Sequence, residues 1–250
     1  MKHLLIIKTG STFPSLAARH GDFEHRITSK LNGIEVPVMT ADVQRGDQLP
    51  HADLLSGAII TGSHAMVTDR EPWSEKIALW LADASHQGLP LLGICYGHQL
   101  LAHALGGSVG YNPKGSEFGS VTVTLNRDAE KDALFKGFPH KIRVQACHKQ
   151  SVLSLPKGAQ LLASNSHDPH QAVAINDHAW GVQFHPEFDA LFIREYIDLC
   201  RGRLLTEGKD PDALASGCSD SIWGSLILKR FASLAAARTM TERLLQPQMV

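Results

Sequence analysis

Hydrophobic positions run through the first hundred residues in two alternating rhythms. Short apolar runs at 3–7, 34–39 and 57–61 have the length of buried strands. Between them apolar residues recur at helical spacing. A helix is read over 23–31, and another opens at Pro72, shows Trp73, Ile77, Trp80 and Leu81 on one side, and closes at Gly88. Strands that alternate with helices predict an α/β protein whose parallel sheet is covered on both faces. From 116 to 175 the texture changes to β segments at 121–125, 142–146, 160–164 and 171–175, and 180–184 reads as a strand returning to the main sheet.

The sharpest change of rhythm lies in residues 88–107, GLPLLGICYGHQLLAHALGG. Leu89, Leu91, Leu92 and Ile94 rise to Cys95, and from Gly97 onward Leu100, Leu101, Ala104 and Leu105 recur at helical spacing until Gly106 and Gly107. This is a buried strand, a sharp turn and a helix, with one cysteine at the corner. Gly93 and Gly97 flank it as in the Gly-x-Ser-x-Gly nucleophile elbow, where small neighbours permit a strained turn. The helix start presents free N–H groups to the sulfur. A cysteine also packs as a small hydrophobe, so a plain core role is the competing reading.

Composition narrows the class. The 250 residues fit one large domain with room for an appendage. A net charge of −1 carries no footprint for nucleic acid or an acidic membrane, and no apolar run reaches the length of a membrane span. The opening MKHLLIIKTG has too short an apolar run for a signal peptide. Cys95, Cys147, Cys200 and Cys218 stand far apart with no C-x-x-C pair, which predicts no metal site, no disulfide scaffold and a cytoplasmic location.

Two further stretches bear chemistry. A thiol nucleophile needs a base, and the base a group that orients it. The segment 181–187, GVQFHPE, ends an apolar strand in His185-Pro186-Glu187 and offers both, although with 14 histidines one such spacing arises readily by chance. Thr61-Gly62-Ser63-His64 is a small-residue turn after a strand. Its backbone N–H groups, with that of Tyr96, could form an oxyanion hole, or the turn is an ordinary strand exit.

GICYGHQL, IITGSHAMV and GVQFHPE, in this order and at these separations, resemble the class I glutamine amidotransferase domain over about residues 3–203. The resemblance implies a flavodoxin-like domain with a mostly parallel central sheet, hydrolysing a side-chain amide through a cysteine acyl-enzyme with no cofactor. It implies Cys95 as nucleophile, His185 as base and acid, and Glu187 as the orienting carboxylate. It implies Gln99 as a glutamine-binding residue, Gly62, Ser63 and Tyr96 at the oxyanion and substrate-backbone positions, and Cys147, His148, Lys149 and Gln150 in a substrate loop. Ser63 and His64 depart from the Gly-Pro that biosynthetic members carry in this turn. They bring the chain nearer to stand-alone, GMP-synthase-like members and to γ-glutamyl peptidases.

Three readings follow. The substrate is glutamine or another γ-glutamyl amide, γ-glutamyl peptides and amines included. Alternatively the fold persists as a binding module without turnover, against which the intact Cys95, His185 and Glu187 argue; a protease for ordinary peptides fits Gln99 and the 147–152 loop poorly. No Ser-Gly-Gly-x-Asp-Ser phosphate loop is present, so acceptor chemistry is expected from a separate synthase subunit, or the reaction is hydrolysis or transpeptidation. The domain is expected to occupy 1–204 and a helical extension 205–250. In that extension Ile222, Trp223, Leu226, Ile227, Phe231, Leu234 and Ala235 recur at helical spacing, Ser219, Asp220 and Ser221 offer caps, and Pro247 lies beyond the end. Such a stripe packs on its own domain or forms a homodimer contact.

Overall fold

The computed structural model describes residues 2–245, the stretch 239–245 by its backbone alone; the remainder, Pro247 included, lies outside the described residues. The first half alternates as the hydrophobic rhythm predicts: β1 (His3–Lys8), α1 (Pro14–His20), α2 (Phe23–Lys30), β2 (Val38–Asp42), β3 (Leu55–Ile60), α3 (Pro72–His86), β4 (Leu91–Ile94) and α4 (Tyr96–Ala104). The second strand begins later than the 34–39 run implies. Ile34 and Val36 close turns on Leu31 and Ile34, and regular pairing with β1 starts at Val38, after Pro37. A proline has no N–H to give a ladder. The short α1 has no apolar stripe long enough to be read from sequence.

The second half is β5 (Ser108–Tyr111), β6 (Glu117–Leu125), β7 (Lys141–His148), β8 (Gln150–Ser154), β9 (Gln160–Ser164), β10 (Ala172–Asn176) and β11 (Ala179–Val182). It is followed by α5 (Ala190–Leu199), α6 (Arg201–Thr206), α7 (Pro211–Ser216) and α8 (Trp223–Leu245). The main sheet runs β2-β1-β3-β4-β11-β10-β9-β6-β7. Its first five strands pair in parallel, and the strand read at 180–184 does return, as β11, beside β4. The remaining pairs are antiparallel, and β5 with β8 forms a separate ribbon.

Strand periodicity sorts the runs into two faces. Leu4, Ile6, Ile59, Leu92 and Ile94 point into one core, with Ile27 of α2 above them. Leu5, Ile7, Ala58, Ile60 and Leu91 point into the other, against Ile77 and Leu81 of α3 and Leu100 and Leu101 of α4. The carboxyl ends of β4 and β11 therefore meet at the centre of a rigid, doubly covered sheet, where open α/β sheets bind ligands.

The C-terminal helix closes the first of these cores. Ile227, Leu228, Phe231, Ala232 and Ala235 are fully buried with the strand residues beneath them. The helix comes so close to β3 that a Cβ on Gly57 would lie 2.9 Å from Ala235 Cβ. The buried stripe is rotated from the expected one: Ile222 and Leu226 are exposed at 63% and 37%, and Leu228 and Ala232 take their place. Tertiary contact decides which face turns inward. Of the expected caps, Ser221 Oγ accepts from Trp223 N at 3.3 Å, but Asp220 reaches instead to Ala190 N at 2.8 Å, tying this segment to the start of α5. Among the described residues no helix is long and apolar enough to cross a membrane.

Candidate active site

Cys95 sits at the corner between β4 and α4 with φ +51° and ψ −102°, one of two non-glycine residues with positive φ among those described. Such a backbone is costly for a side chain and persists only where its surroundings hold it. The surroundings here are specific. Cys95 N donates to Val182 O at 2.8 Å, Gly97 N to Thr61 O at 3.2 Å, and Gln99 N to Cys95 O at 3.1 Å. A Cβ on Gly93 would lie 2.5 Å from the Gly97 carbonyl carbon, and one on Gly97 would lie 2.8 Å from that of Ile60. Both flanking glycines are thus required by close approach of backbone to backbone. Cys95 is 6% exposed, and its Sγ points to Cys147 O at 3.6 Å.

The end of β11 brings His185 and Glu187 to the same corner. His185 N donates to Gln145 O at 2.8 Å, and its Nδ1 stands 2.8 Å from Glu187 Oε1. The ring is clamped flat on Phe188, with centroids 4.1 Å apart and planes 7° from parallel. Burial pushes the His185 pKa down, but the Glu187 carboxylate and the Cys95 thiolate, each adding charge and a hydrogen bond, outweigh it and raise it to about 10. Glu187 is fully buried; its backbone carbonyl accepts from Arg26 Nη2 at 3.3 Å, and Arg26 also pairs with Asp189 at 2.7 Å and lies over the Phe192 ring.

Gly62 fills the gap between these groups. A Cβ there would come within 2.8 Å of His185 Cε1 and 3.8 Å of Cys95 Cβ. Ser63 Oγ accepts from Ala65 N at 3.1 Å and packs on Gly10, so this residue meets the site through its backbone. Tyr96 likewise brings only its backbone to the corner, because its hydroxyl bonds Ser74 Oγ at 2.6 Å in the α3–α4 interface.

The loop between β7 and β8 forms the opposite wall. Gln99 Nε2 donates to Gln150 O at 2.7 Å and Gln183 Oε1 at 3.0 Å, stitching the helix to the loop. His148 is buried between Gln150 O (3.0 Å) and Glu117 Oε2 (2.9 Å), so it holds the loop in place and does not face the cavity freely. The Glu117 carboxyl sits below its ordinary range: burial raises it, and His148 with Asn165 more than compensates. Gln150 Nε2 is bound to Thr68 Oγ1 at 2.6 Å. Lys149 lines the cavity, and its ammonium makes no hydrogen bond or ion pair among the described residues. Burial, above all other causes, pushes the Cys147 thiol well up, which sets it apart from a reactive thiol.

All eleven residues singled out in the sequence converge on this corner. Eight of them line a cavity of about 260 Å³ beside Cys95, while Gly62, His185 and Glu187 lie outside its lining, Gly62 against His185 and Cys95 and Glu187 bonded to the His185 ring. Sequence reasoning missed Phe13, Phe118, Tyr196 and Arg203, which complete the lining together with His64, Ala65 and Met66 of the turn after β3. The four missed residues come from four separate segments, and no local pattern marks them. The array of thiol, imidazole and carboxylate can move a proton from sulfur to ring and hold the resulting cation.

The model of the family described as glutamine amidotransferase class-I matches residues 20–191. γ-Glutamyl peptidase 3 of Arabidopsis thaliana is 30% identical over 167 residues, 66% of this chain and 67% of that protein. The glutamine-hydrolysing GMP synthase of Thermomicrobium roseum is 36% identical over 150 residues, 58% of this chain but only 27% of that longer enzyme. Among solved structures, a glutamine amidotransferase of Methylobacillus flagellatus superposes with a TM-score of 0.70 at 25% identity, over 96% of this chain and 95% of that one. One from Thermotoga maritima reaches 0.73 at 21% identity over 94% and 99%, a likeness of fold alone. With the elbow, the sheet order and the matched span in agreement, the chain belongs to the class I glutamine amidotransferase family.

Proposed function

We propose that this protein hydrolyses γ-glutamyl amides through a γ-glutamyl thioester on Cys95. The observation that carries the reading is the strained Cys95 backbone at the start of α4, facing a histidine whose far nitrogen is held by a fully buried carboxylate. The Cys95 thiolate attacks the γ-carbonyl carbon, and backbone N–H groups of Tyr96 and the Gly62–Ser63 turn take the developing oxyanion. The carbon–nitrogen bond breaks as the nitrogen receives a proton from His185. Water, giving its proton to the same ring, then cleaves the thioester to release glutamate and restore the thiol. Glu187 keeps the ring oriented and stabilises its cation. Gln99 and the 147–150 loop hold the amino-acid end of the substrate.

Glutamine releases ammonia by this scheme, and a γ-glutamyl peptide or amine releases its amine. Both substrate classes occur among the names of relatives: γ-glutamyl peptidases in Arabidopsis thaliana and glutamine-hydrolysing GMP synthases in Thermomicrobium roseum and Aeropyrum pernix. The reading further holds that 1–204 carry the chemistry while 205–250 brace it, that the protein works in the cytoplasm, and that any acceptor reaction belongs to a separate synthase subunit. Glutamate release from glutamine and from a panel of γ-glutamyl amines, by wild type and by Cys95→Ala, tests it. Release should vanish in the variant, while replacing Cys147, Cys200 or Cys218 should leave a nucleophile in place; undiminished release from Cys95→Ala would refute the mechanism.

A further inference from the structure

The substrate loop is anchored from behind by a buried series of polar side chains. Glu117, at the start of β6, stands opposite His148 at the end of β7. Its Oε1 accepts from Asn165 Nδ2 at 2.7 Å and its Oε2 from Gln171 Nε2 at 2.6 Å, and His148 Nε2 lies 2.9 Å from Oε2. The other ring nitrogen of His148, Nδ1, lies 3.0 Å from the backbone carbonyl oxygen of Gln150. A backbone carbonyl can only accept. A carboxyl group that receives amide donors on both oxygens is held as the anion, in keeping with its place below the ordinary carboxylate range in spite of burial. Both nitrogens of His148 therefore have to donate, which only the imidazolium can do. The surroundings suit a positive charge. Asp168 Oδ2, fully buried and without a hydrogen bond among the described residues, is 4.0 Å from Nδ1. The neighbouring His98 is pushed down to about 4, chiefly by burial, and adds no competing charge.

The carbonyl that His148 grips in turn fixes Gln99. Gln150 O accepts from Gln99 Nε2 at 2.7 Å as well, and the second hydrogen of that amide goes to Gln183 Oε1 at 3.0 Å. The Gln99 atom that meets a backbone carbonyl has to be the nitrogen, so this amide cannot be turned over. Gln99 Oε1 makes no hydrogen bond among the described residues and is not sealed in the interior; it is the atom that the side chain offers to the cavity it lines. That lining contains no carboxylate, so a cationic group of the substrate has to be met by oxygen atoms of this neutral kind.

We propose that His148 is a positioning residue: as a buried imidazolium braced by Glu117 it fixes Gln150 O, and through it holds the Gln99 carbonyl oxygen toward the α-ammonium group at the glutamyl end of the substrate. The inference rests on the hydrolytic reading above and adds how a γ-glutamyl group is told from a plain carboxamide. An acceptor aimed at an ammonium group makes a charge-assisted hydrogen bond. An amide free to turn would present N–H groups there instead, which repel it.

Two measurements test this. In enzyme labelled with 15N at histidine, NMR at neutral pH should show both ring nitrogens of His148 protonated, the signals being assigned by their loss in His148→Gln. A wild-type ring with one bare nitrogen would overturn the inference without reference to activity. The second compares kcat/KM for glutamine with that for glutaramate, the same amide without its α-amino group, in wild type, His148→Asn and His148→Gln. The asparagine amide replaces Nδ1 and keeps the bond to Gln150 O, whereas the glutamine amide replaces Nε2 and reaches only Glu117. Wild type should favour glutamine by roughly 10- to 100-fold, the range of a charge-assisted hydrogen bond. His148→Gln should lose most of that ratio, with KM for glutamine rising more than kcat falls, and His148→Asn should recover part of it. Equal losses for both substrates would mean that His148 serves the fold alone and would overturn the inference, as would a wild-type ratio near one. If neither variant folds, the wild-type ring signals and the wild-type ratio still decide. Failure of wild type to cleave either amide, with the ring doubly protonated, would instead sink the hydrolytic reading itself.

Discussion

Gly224 offers a sharp test of how the C-terminal helix supports the site. It lies in the first turn of α8, against the residue that joins His185 to Glu187. A Cβ at this position would strike Pro186 O and lie 2.9 Å from Pro186 Cα and 3.0 Å from its carbonyl carbon. Carbon atoms prefer to be about 3.5–4.0 Å apart, so one backbone must retreat by roughly 0.5–1 Å. None of the atoms struck belongs to a flexible side chain. In an unpacked helix Gly→Ala stabilises by up to about 1 kcal/mol. Overpacking costs about 1–3 kcal/mol, so the packing loss should win and the variant should be less stable. At about 2–4 °C per kcal/mol for a chain of this size, a net loss of about 1–2 kcal/mol lowers Tm by roughly 2–8 °C. If the 185–187 turn yields in place of the helix, misplacement of His185 by up to 1 Å should cost on the order of 100-fold in glutamate release. Thermal unfolding and turnover of Gly224→Ala, measured together, decide the matter. A raised Tm with unchanged turnover would refute the claim that this helix braces the catalytic turn.

Further outcomes follow from the same geometry. His185→Asn should lower glutamate release by several orders of magnitude and Glu187→Gln by less, because the second change weakens orientation without removing the base; equal activity of Glu187→Ala and wild type would show that another group orients the ring. Truncation after Leu205 removes the buried Ile227, Leu228 and Phe231, each worth about 1.5–3 kcal/mol, and should abolish cooperative unfolding or cause aggregation; an unchanged Tm and mass would contradict the packing of α8. The raised His185 pKa predicts a stabilisation that is complete below pH 6.5, its ordinary value, and is lost as pH rises through about 10. The stability gap between wild type and Glu187→Gln should therefore narrow from pH 6.5 toward pH 10 in Tm measurements, and a gap that widens would show that the ring is not held as a cation.

Much of this protein is legible from local rules. The burial of β1, β3 and β4, the elbow at Cys95 and the stop at Gly106 follow from residues within a few positions of one another, because backbone sterics and periodic burial act over that range. The same reach makes Gly93 and Gly97 readable as a pair: both serve one turn. His185 and Glu187 could be named from their motif, but their reach to Cys95 depends on β11 lying parallel to β4, which no local feature encodes. Phe13, Phe118, Tyr196 and Arg203 were invisible for a related reason. Each looks ordinary in its own segment, and only the packing of the residue before α1 with β6, α5 and α6 around one cavity makes a wall of them. The C-terminal helix divides the same way. Its existence was set by sequence period, whereas its buried face was decided by where Gly57 and Pro186 let a backbone come close, since a helix wheel shows which residues could be buried and only the surface beneath selects among them.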